Sequence, residues 1–134
     1  MNKNIIEEKR RDERFSFTAP QKLQTTSGKK LYLIGLSQNG AHIACTEKPH
    51  YNDIIHFDIS LPTGIHTLSL SGKIIWAIKK DVWHVGLHFI PMTEIDTTIL
   101  IAYLEYLERD KKLKQFHKTI HMNLERYIQT FLKQ

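Results

Sequence analysis

The chain has 134 residues, of which 41% are hydrophobic and 25% charged, a composition typical of one soluble globular domain. Its formal net charge of +5 and pI near 9.3 favour an anionic partner without choosing between nucleic acid, nucleotide and anionic lipid. An internal disulfide is excluded because Cys45 is the single cysteine, and the longest apolar run, residues 99–104, is too short for membrane insertion. The N-terminal segment has no apolar signal-peptide core, so we expect a cytoplasmic protein whose thiol packs in the interior.

Short strands separated by turns are predicted for most of the chain. Residues 1–9 have the composition of a flexible polar tail, and residues 15–89 show the alternation of β-strands. Turn signals stand at residues 37–40, which include Asn-Gly, at residues 62–64 and at residues 80–81. This spacing predicts a mainly β fold, a small antiparallel barrel.

The longest predicted strand covers residues 65–79 and contains Gly72, which predicts a bend or bulge at that position. Trp76 follows on the same strand, at a position open to the core. The predicted inward-facing positions alternate along three strands: Ile55, Phe57, Ile59 and Leu61; Leu68 and Leu70; Val85, Leu87 and Phe89.

Helical spacing replaces the strand pattern after Pro91. Thr93 is a predicted N-cap, with Asp96 at the third helical position. Residues 109–112 are polar and are either a break between two helices or an exposed turn of one. One apolar stripe follows, made by Leu113, Phe116, Ile120, Leu124, Tyr127 and Phe131. Its burial requires either the barrel or a second copy of the chain, so a monomer and a homo-oligomer both remain open.

Three arginines crowd the segment before the first strand: Arg10, Arg11 and Arg14. A guanidinium fork binds phosphate through two hydrogen bonds and matches the N7/O6 edge of guanine. Neutralisation by the neighbouring acidic residues is the alternative interpretation.

The turn at Ser37–Gly40 is a second candidate anion site. A serine hydroxyl and the N–H groups of a turn form a small concavity suited to an anion, although they are also ordinary turn chemistry. The order of the features adds weight: an arginine segment, two strands, and then the serine turn that leads into an apolar strand.

These features resemble the PilZ domain family. The RxxxR motif corresponds to residues 10–14, and the (D/N)xSxxG motif to residues 35–40. The strands at residues 72–76 and 85–89 are similar too, so that the resemblance covers residues 7–107. It implies a six-stranded antiparallel β-barrel with C-terminal α-helices.

The implied organisation is a tail at residues 1–9, a barrel with its following helix at residues 10–107, and an amphipathic helix at residues 108–134. The implied ligand is cyclic di-GMP, a bacterial second messenger, and no cofactor is expected. By resemblance Arg10 and Arg14 contact phosphates and guanine edges, and Ser37 donates to the ligand. The full set of implied ligand-binding residues is Arg10, Arg11, Arg14, Ser37, Gly40 and Trp76.

The sequence departs from the family at Gly35, where the motif has Asp or Asn. Losing that charge-assisted hydrogen bond costs roughly 1.5–3 kcal/mol, or about 10- to 100-fold in affinity. Asn39 or Asp12 are the candidates to compensate. The leading hypothesis is a receptor and adaptor that changes its protein-interaction surface on binding, in motility, pilus or biofilm signalling. The alternative is a degenerate domain that binds no nucleotide and contacts an effector protein constitutively.

Other functions are weaker. The helical set His117, His121 and Glu125 and the strand pair His84 and His88 have metal-ligand spacing, but no Cys cluster or HExxH pattern accompanies them. We expect no metal, and no enzyme, because no nucleophile–base set or carboxylate pair stands out. Binding to a nucleic acid polymer is not expected, because the strand aromatics are scattered among few basic residues.

Overall fold

The computed structural model describes residues 14–25 and 28–133, in two compact units that divide between residues 104 and 105. Its elements are β1 Phe15–Leu23, β2 Leu31–Leu36, β3 Gly40–Cys45, β4 Ile54–Ser60, β5 Thr67–Lys79, β6 Trp83–Phe89 and α1 Glu94–Leu132. The strands form one antiparallel sheet in the order β1-β2-β3-β6-β5-β4. An isolated bridge between Gln24 and Asp58 joins its two edges, so the sheet curls into a half-barrel.

Alternating side chains fill the concave face of this sheet, as the strand pattern predicts. Each apolar side chain that is removed from water contributes roughly 1.5–3 kcal/mol before the cost of ordering is subtracted. The helix adds Leu100, which is fully buried. The largest buried side chains are Phe57, Leu33, Leu36, Ile43, Leu68, Leu100 and Val85.

The bulge in β5 lies at Ile75, and the predicted position at Gly72 was wrong. Gly72 sits in regular register with Ile55 on one side and Phe89 on the other, whereas the pairing with β6 shifts between Ile74 and Trp76. Close packing accounts for the glycine instead, because a Cβ at Gly72 would lie 2.9 Å from the Cβ of Leu87. The bulge has a functional consequence, since it sets the face on which Trp76 lies.

A second irregularity lies in β1, where the register with β2 shifts between Ser16 and Gln21. Pro20 falls inside this unpaired stretch, where its missing N–H costs no ladder hydrogen bond. The shift leaves Ser16 paired with Gly35, at the start of the strand that follows Arg14.

One continuous helix follows the sheet, rather than the several that were expected. The backbone N–H of Asp96 donates to Thr93 Oγ1 at 3.2 Å, which confirms the predicted N-cap. The helix runs through residues 109–112, so that polar segment is not a break. In the second unit all six residues of the apolar stripe are exposed, and what covers the stripe stays a prediction. No helix in the described ranges is long and apolar enough to cross a membrane.

Candidate functional site

A row of five residues crosses the convex face of the sheet. The pairing places Ser16, Gly35, His42, Gly86 and Trp76 side by side on β1, β2, β3, β6 and β5. Where the strands are regular, the neighbours of these residues are buried in the core: Phe15, Leu36, Ala41, Ile43, Val85 and Leu87. The row therefore lies on the opposite, outer face of the sheet. Gly35 and Gly86 carry no side chain, so His42 between them and Ser16 and Trp76 at the two ends shape the row.

The Trp76 indole lies directly over Gly86, because a Cβ added to Gly86 would fall within the ring. The centroid of the indole is 5.5 Å from that of the His42 ring, and the two planes are inclined by 57°. Trp76 is half-buried and is therefore not a core residue, and its contact with a ligand stays a prediction.

A cavity of about 220 Å³ opens over this row. Four of the six predicted ligand-binding residues line it, namely Arg14, Ser37, Gly40 and Trp76. The other two, Arg10 and Arg11, lie outside the described residues, as does Asp12. The lining also includes Gly35, Asn39, His42, Gly86 and His88, none of which was predicted as a ligand contact. The two motifs therefore meet at one site, and the ligand roles of their residues stay predictions.

The Ser37–Gly40 turn has a structural role in the fold, in addition to the ligand-binding role that its sequence predicts. The Ser37 hydroxyl accepts from the Gly40 N–H at 3.1 Å and lies 3.2 Å from the Gly40 carbonyl oxygen, to which it donates. A Cβ at Gly40 would collide with the backbone carbonyl oxygen of Leu87. Gly40 is therefore required for the close approach of β3 to β6, and Ser37, Asn39 and Gly40 line the cavity.

A histidine pair adds polarity to the same face. His42 Nε2 and His84 Nδ1 are 2.9 Å apart and share a hydrogen bond. Burial lowers the pKa of His42, and electrostatic interactions with His84, Arg14 and Lys80 lower it further. The ring is therefore held in its neutral form in a basic environment suited to an anionic ligand.

Gly35 leaves a space beside His42. A Cβ built at Gly35 would lie 3.3 Å from the Phe15 carbonyl oxygen and 3.7 Å from the Cβ of His42. A side chain therefore fits here if the backbone shifts by a few tenths of an ångström. Asn39, one of the two residues considered as compensation for the missing acid, lines the cavity.

His42 is the polar residue that the sequence analysis missed. The signal was present, because His42 is two residues beyond Gly40 on the same strand and therefore shares its face. The sequence analysis considered other histidines, because their spacing suits metal ligands. Of those, His121 forms an exposed ion pair with Glu125 at 3.2 Å, and within residues 14–25 and 28–133 no group of three metal-ligating side chains occurs.

A second cavity, of about 200 Å³, lies at the other end of β3. Cys45 lines it and is buried, which confirms the predicted interior thiol. The thiol donates to the Glu47 carbonyl oxygen at 3.3 Å, and burial raises its pKa. It is therefore kept in the unreactive protonated form.

The fold and the first cavity together define a small antiparallel β module with a candidate ligand site. Residues 8–106 match the PilZ domain family, and the chain belongs to it. No curated protein matches the sequence.

Solved structures with the same fold include YcgR from Escherichia coli in complex with c-di-GMP, with a TM-score of 0.66 and 14% identity over 81% of this chain and 50% of that one. The Bacillus subtilis inhibitor of motility, MotI/DgrA, has a TM-score of 0.58 and 15% identity over 78% and 52%. An uncharacterized Legionella protein has a TM-score of 0.53 and 18% identity over 75% and 98%. This chain thus spans about half the length of the first two.

Proposed function

We propose that this PilZ domain is a receptor and adaptor that binds cyclic di-GMP in the cavity over Gly35 and Gly86. The observation that carries the proposal is the convergence of both motifs on this cavity, with Arg14 from one and the Ser37–Gly40 turn from the other. Membership in the PilZ family and a fold shared with a c-di-GMP complex of YcgR support it. The likeness to an inhibitor of motility supports a role in motility signalling.

The chemistry of the cavity suits this ligand. The Arg14 guanidinium presents a fork of N–H donors to phosphate oxygens or to the N7/O6 edge of guanine. The half-buried Trp76 indole offers a flat apolar surface to a purine, and stacking of this kind contributes roughly 1–3 kcal/mol per base. Arg10 and Arg11 precede Arg14 by four and three positions, so the same segment brings further positive charge.

Binding then reorganises the surface of the domain. An anionic ligand held by Arg14 draws the charged residues that precede it onto the convex face, which changes what the domain offers to an effector protein. The effector is recognised through this ligand-dependent surface, and the ligand acts as the switch.

Calorimetric titration of cyclic di-GMP into the wild type, Arg14→Ala and Arg126→Ala tests the proposal. Arg126 is exposed on α1 and does not line the cavity, so its variant loses the same charge elsewhere. We expect binding by the wild type and by Arg126→Ala, and a loss of at least about tenfold in Arg14→Ala, because a hydrogen bond to a charged group contributes roughly 1.5–3 kcal/mol. The proposal would be overturned if the wild type gave no heat at about 500 µM ligand. That result would mean a binding free energy weaker than roughly 4–5 kcal/mol. That outcome would support the constitutive interaction module suggested by Gly35.

A further inference from the structure

The residue directly opposite Gly35 in the neighbouring strand is His42. His42 is half-buried, lines the cavity and stands beside the Trp76 ring. The Cβ of an acid at Gly35 would lie 3.7 Å from the Cβ of His42, so the two positions serve the same part of the cavity. A hydrogen-bonding side chain is therefore present one strand away from the place where the family motif has its acid.

We propose that His42 is a ligand-contacting residue whose imidazole accepts a hydrogen bond from a guanine N–H of the bound nucleotide, in place of the acid absent at Gly35. This inference rests on the proposed function. It adds His42 as a ligand-contacting residue and explains selectivity for guanine over adenine.

The hydrogen bond to His84 is compatible with the form of the ring that can do this. When His42 Nε2–H donates to His84 Nδ1 across their 2.9 Å separation, the lone pair of the His42 ring lies on Nδ1, which becomes an acceptor. The opposite assignment would leave an N–H on His42 Nδ1, so the proposal requires the first tautomer. Among the described residues no further hydrogen bond to the His42 ring occurs. In this arrangement His84 is a positioning residue that orients the His42 ring.

The acceptor also requires a neutral ring. Burial lowers the pKa of His42, and the charged or titratable groups that face it act in the same direction: His84 on β6, Arg14 before β1 and Lys80 after β5. His88, on β6, lines the same cavity.

Guanine presents two kinds of N–H donor on its pairing edge, whereas adenine presents an acceptor between its amino group and a C–H. A neutral histidine acceptor favours guanine when it faces guanine N1–H or the 2-amino group, because adenine has an acceptor and a C–H at those two positions.

Calorimetry with cyclic di-GMP and cyclic di-AMP on four proteins tests the assignment: wild type, His42→Phe, His42→Asn and His56→Phe. His56 is an exposed histidine on β4 outside the cavity and serves as the matched control. We expect His42→Phe to bind cyclic di-GMP roughly 3- to 10-fold more weakly, the value of one hydrogen bond, and to lose guanine selectivity by a similar factor. His42→Asn keeps an acceptor oxygen and retains most of the affinity, and His56→Phe binds as the wild type does.

The pH dependence separates an acceptor from a merely structural residue. The affinity ratio of wild type to His42→Phe falls as the pH drops from about 7 to about 5, through the lowered pKa of His42, because a protonated ring cannot accept a hydrogen bond. A ratio that rises on acidification indicates a cationic contact with phosphate and overturns the assignment.

The two proposals fail in different ways. If the wild type binds, Arg14→Ala does not, and His42→Phe matches the wild type, then the role of His42 is wrong and the proposed function stands. If the wild type itself shows no binding, both fall. Circular dichroism melting of each variant confirms that the proteins compared are folded, and His42→Leu, which also lacks an acceptor, provides the test if His42→Phe is not.

Discussion

The Trp76 indole occupies the space over Gly86 that a Cβ atom would fill. The two residues are paired between β5 and β6, immediately after the bulge at Ile75. The bulge changes the face on which Trp76 lies, so that its side chain is on the convex face. Gly86 has no side chain and therefore leaves room for the indole against the sheet. The aromatic wall of the cavity is therefore positioned by two backbone features on neighbouring strands rather than by the tryptophan alone.

Gly86→Ala is expected to displace the indole and weaken cyclic di-GMP binding by roughly 5- to 100-fold, the range of one aromatic stacking contact. Overpacking of the site also lowers the free energy of unfolding by about 1–3 kcal/mol. Calorimetry and urea denaturation measure the two effects. Gly35→Ala is the matched control, because its Cβ meets the Phe15 carbonyl oxygen at 3.3 Å and needs only a small shift. Unchanged affinity in Gly86→Ala would show that the position of the tryptophan does not matter for the ligand.

Gly40→Ala separates the structural role of the serine turn from its predicted ligand role. The added Cβ collides with the carbonyl oxygen of Leu87, which belongs to the backbone of a paired strand and cannot rotate away. We expect the free energy of unfolding to fall by about 1–3 kcal/mol or more, measured by urea denaturation without ligand. Ser37→Ala, which loses both hydrogen bonds of a buried hydroxyl, is expected to cost about 1–3 kcal/mol. If Gly40→Ala is as stable as the wild type and only loses binding, the glycine is needed for the ligand instead.

The sequence predicted the strand-rich fold, the helix cap and most of the core, because period-2 and period-3.6 patterns follow directly from which face is buried; of the predicted inward positions Ile55 and Leu61 are only half-buried. It misplaced the bulge, since glycine marks a bend and a close contact equally well, and at Gly72 the close contact with Leu87 is the reason. The alternation alone shows that His42 shares a face with Gly40, but its importance comes from residues opposite it on two other strands, and register is not visible in a single segment. The partner of the helical stripe was left open for a different reason: hydrophobic burial is non-directional, so periodicity does not choose the surface that covers it.

Acid is expected to destabilise the fold through His42. Burial, followed by electrostatic interactions with His84, Arg14 and Lys80, lowers its pKa below the ordinary value of 6.5. Because the folded state binds fewer protons than the unfolded state, the contribution of His42 to stability is fully present above pH 6.5 and is lost as the pH falls through the folded pKa. The urea midpoint of the wild type should therefore decline more steeply than that of His42→Asn between about pH 7 and about pH 5. Parallel curves would contradict the lowered pKa.

Gly35→Asp restores the acid of the family motif and is expected to tighten cyclic di-GMP binding by about 10- to 100-fold, through a charge-assisted hydrogen bond worth roughly 1.5–3 kcal/mol. The position accepts a side chain after a small shift against Phe15. Gly35→Ala controls for the added Cβ, and Gly35→Asn tests whether an uncharged acceptor suffices. A decrease in affinity in Gly35→Asp would mean that the cavity has been rebuilt around the glycine.

Combining Gly35→Asp with His42→Phe tests whether the two positions do the same work. If the histidine accepts the guanine N–H that the acid would otherwise accept, the aspartate gains more in the His42→Phe background than in the wild type, where that donor is already satisfied. The double-variant cycle in cyclic di-GMP affinity should therefore show a coupling of about 0.5–1.5 kcal/mol, the value of one shared hydrogen bond. If the two changes in binding free energy are strictly additive, the two side chains contact different atoms of the ligand. Side chains that share one hydrogen-bond partner would give non-additive changes.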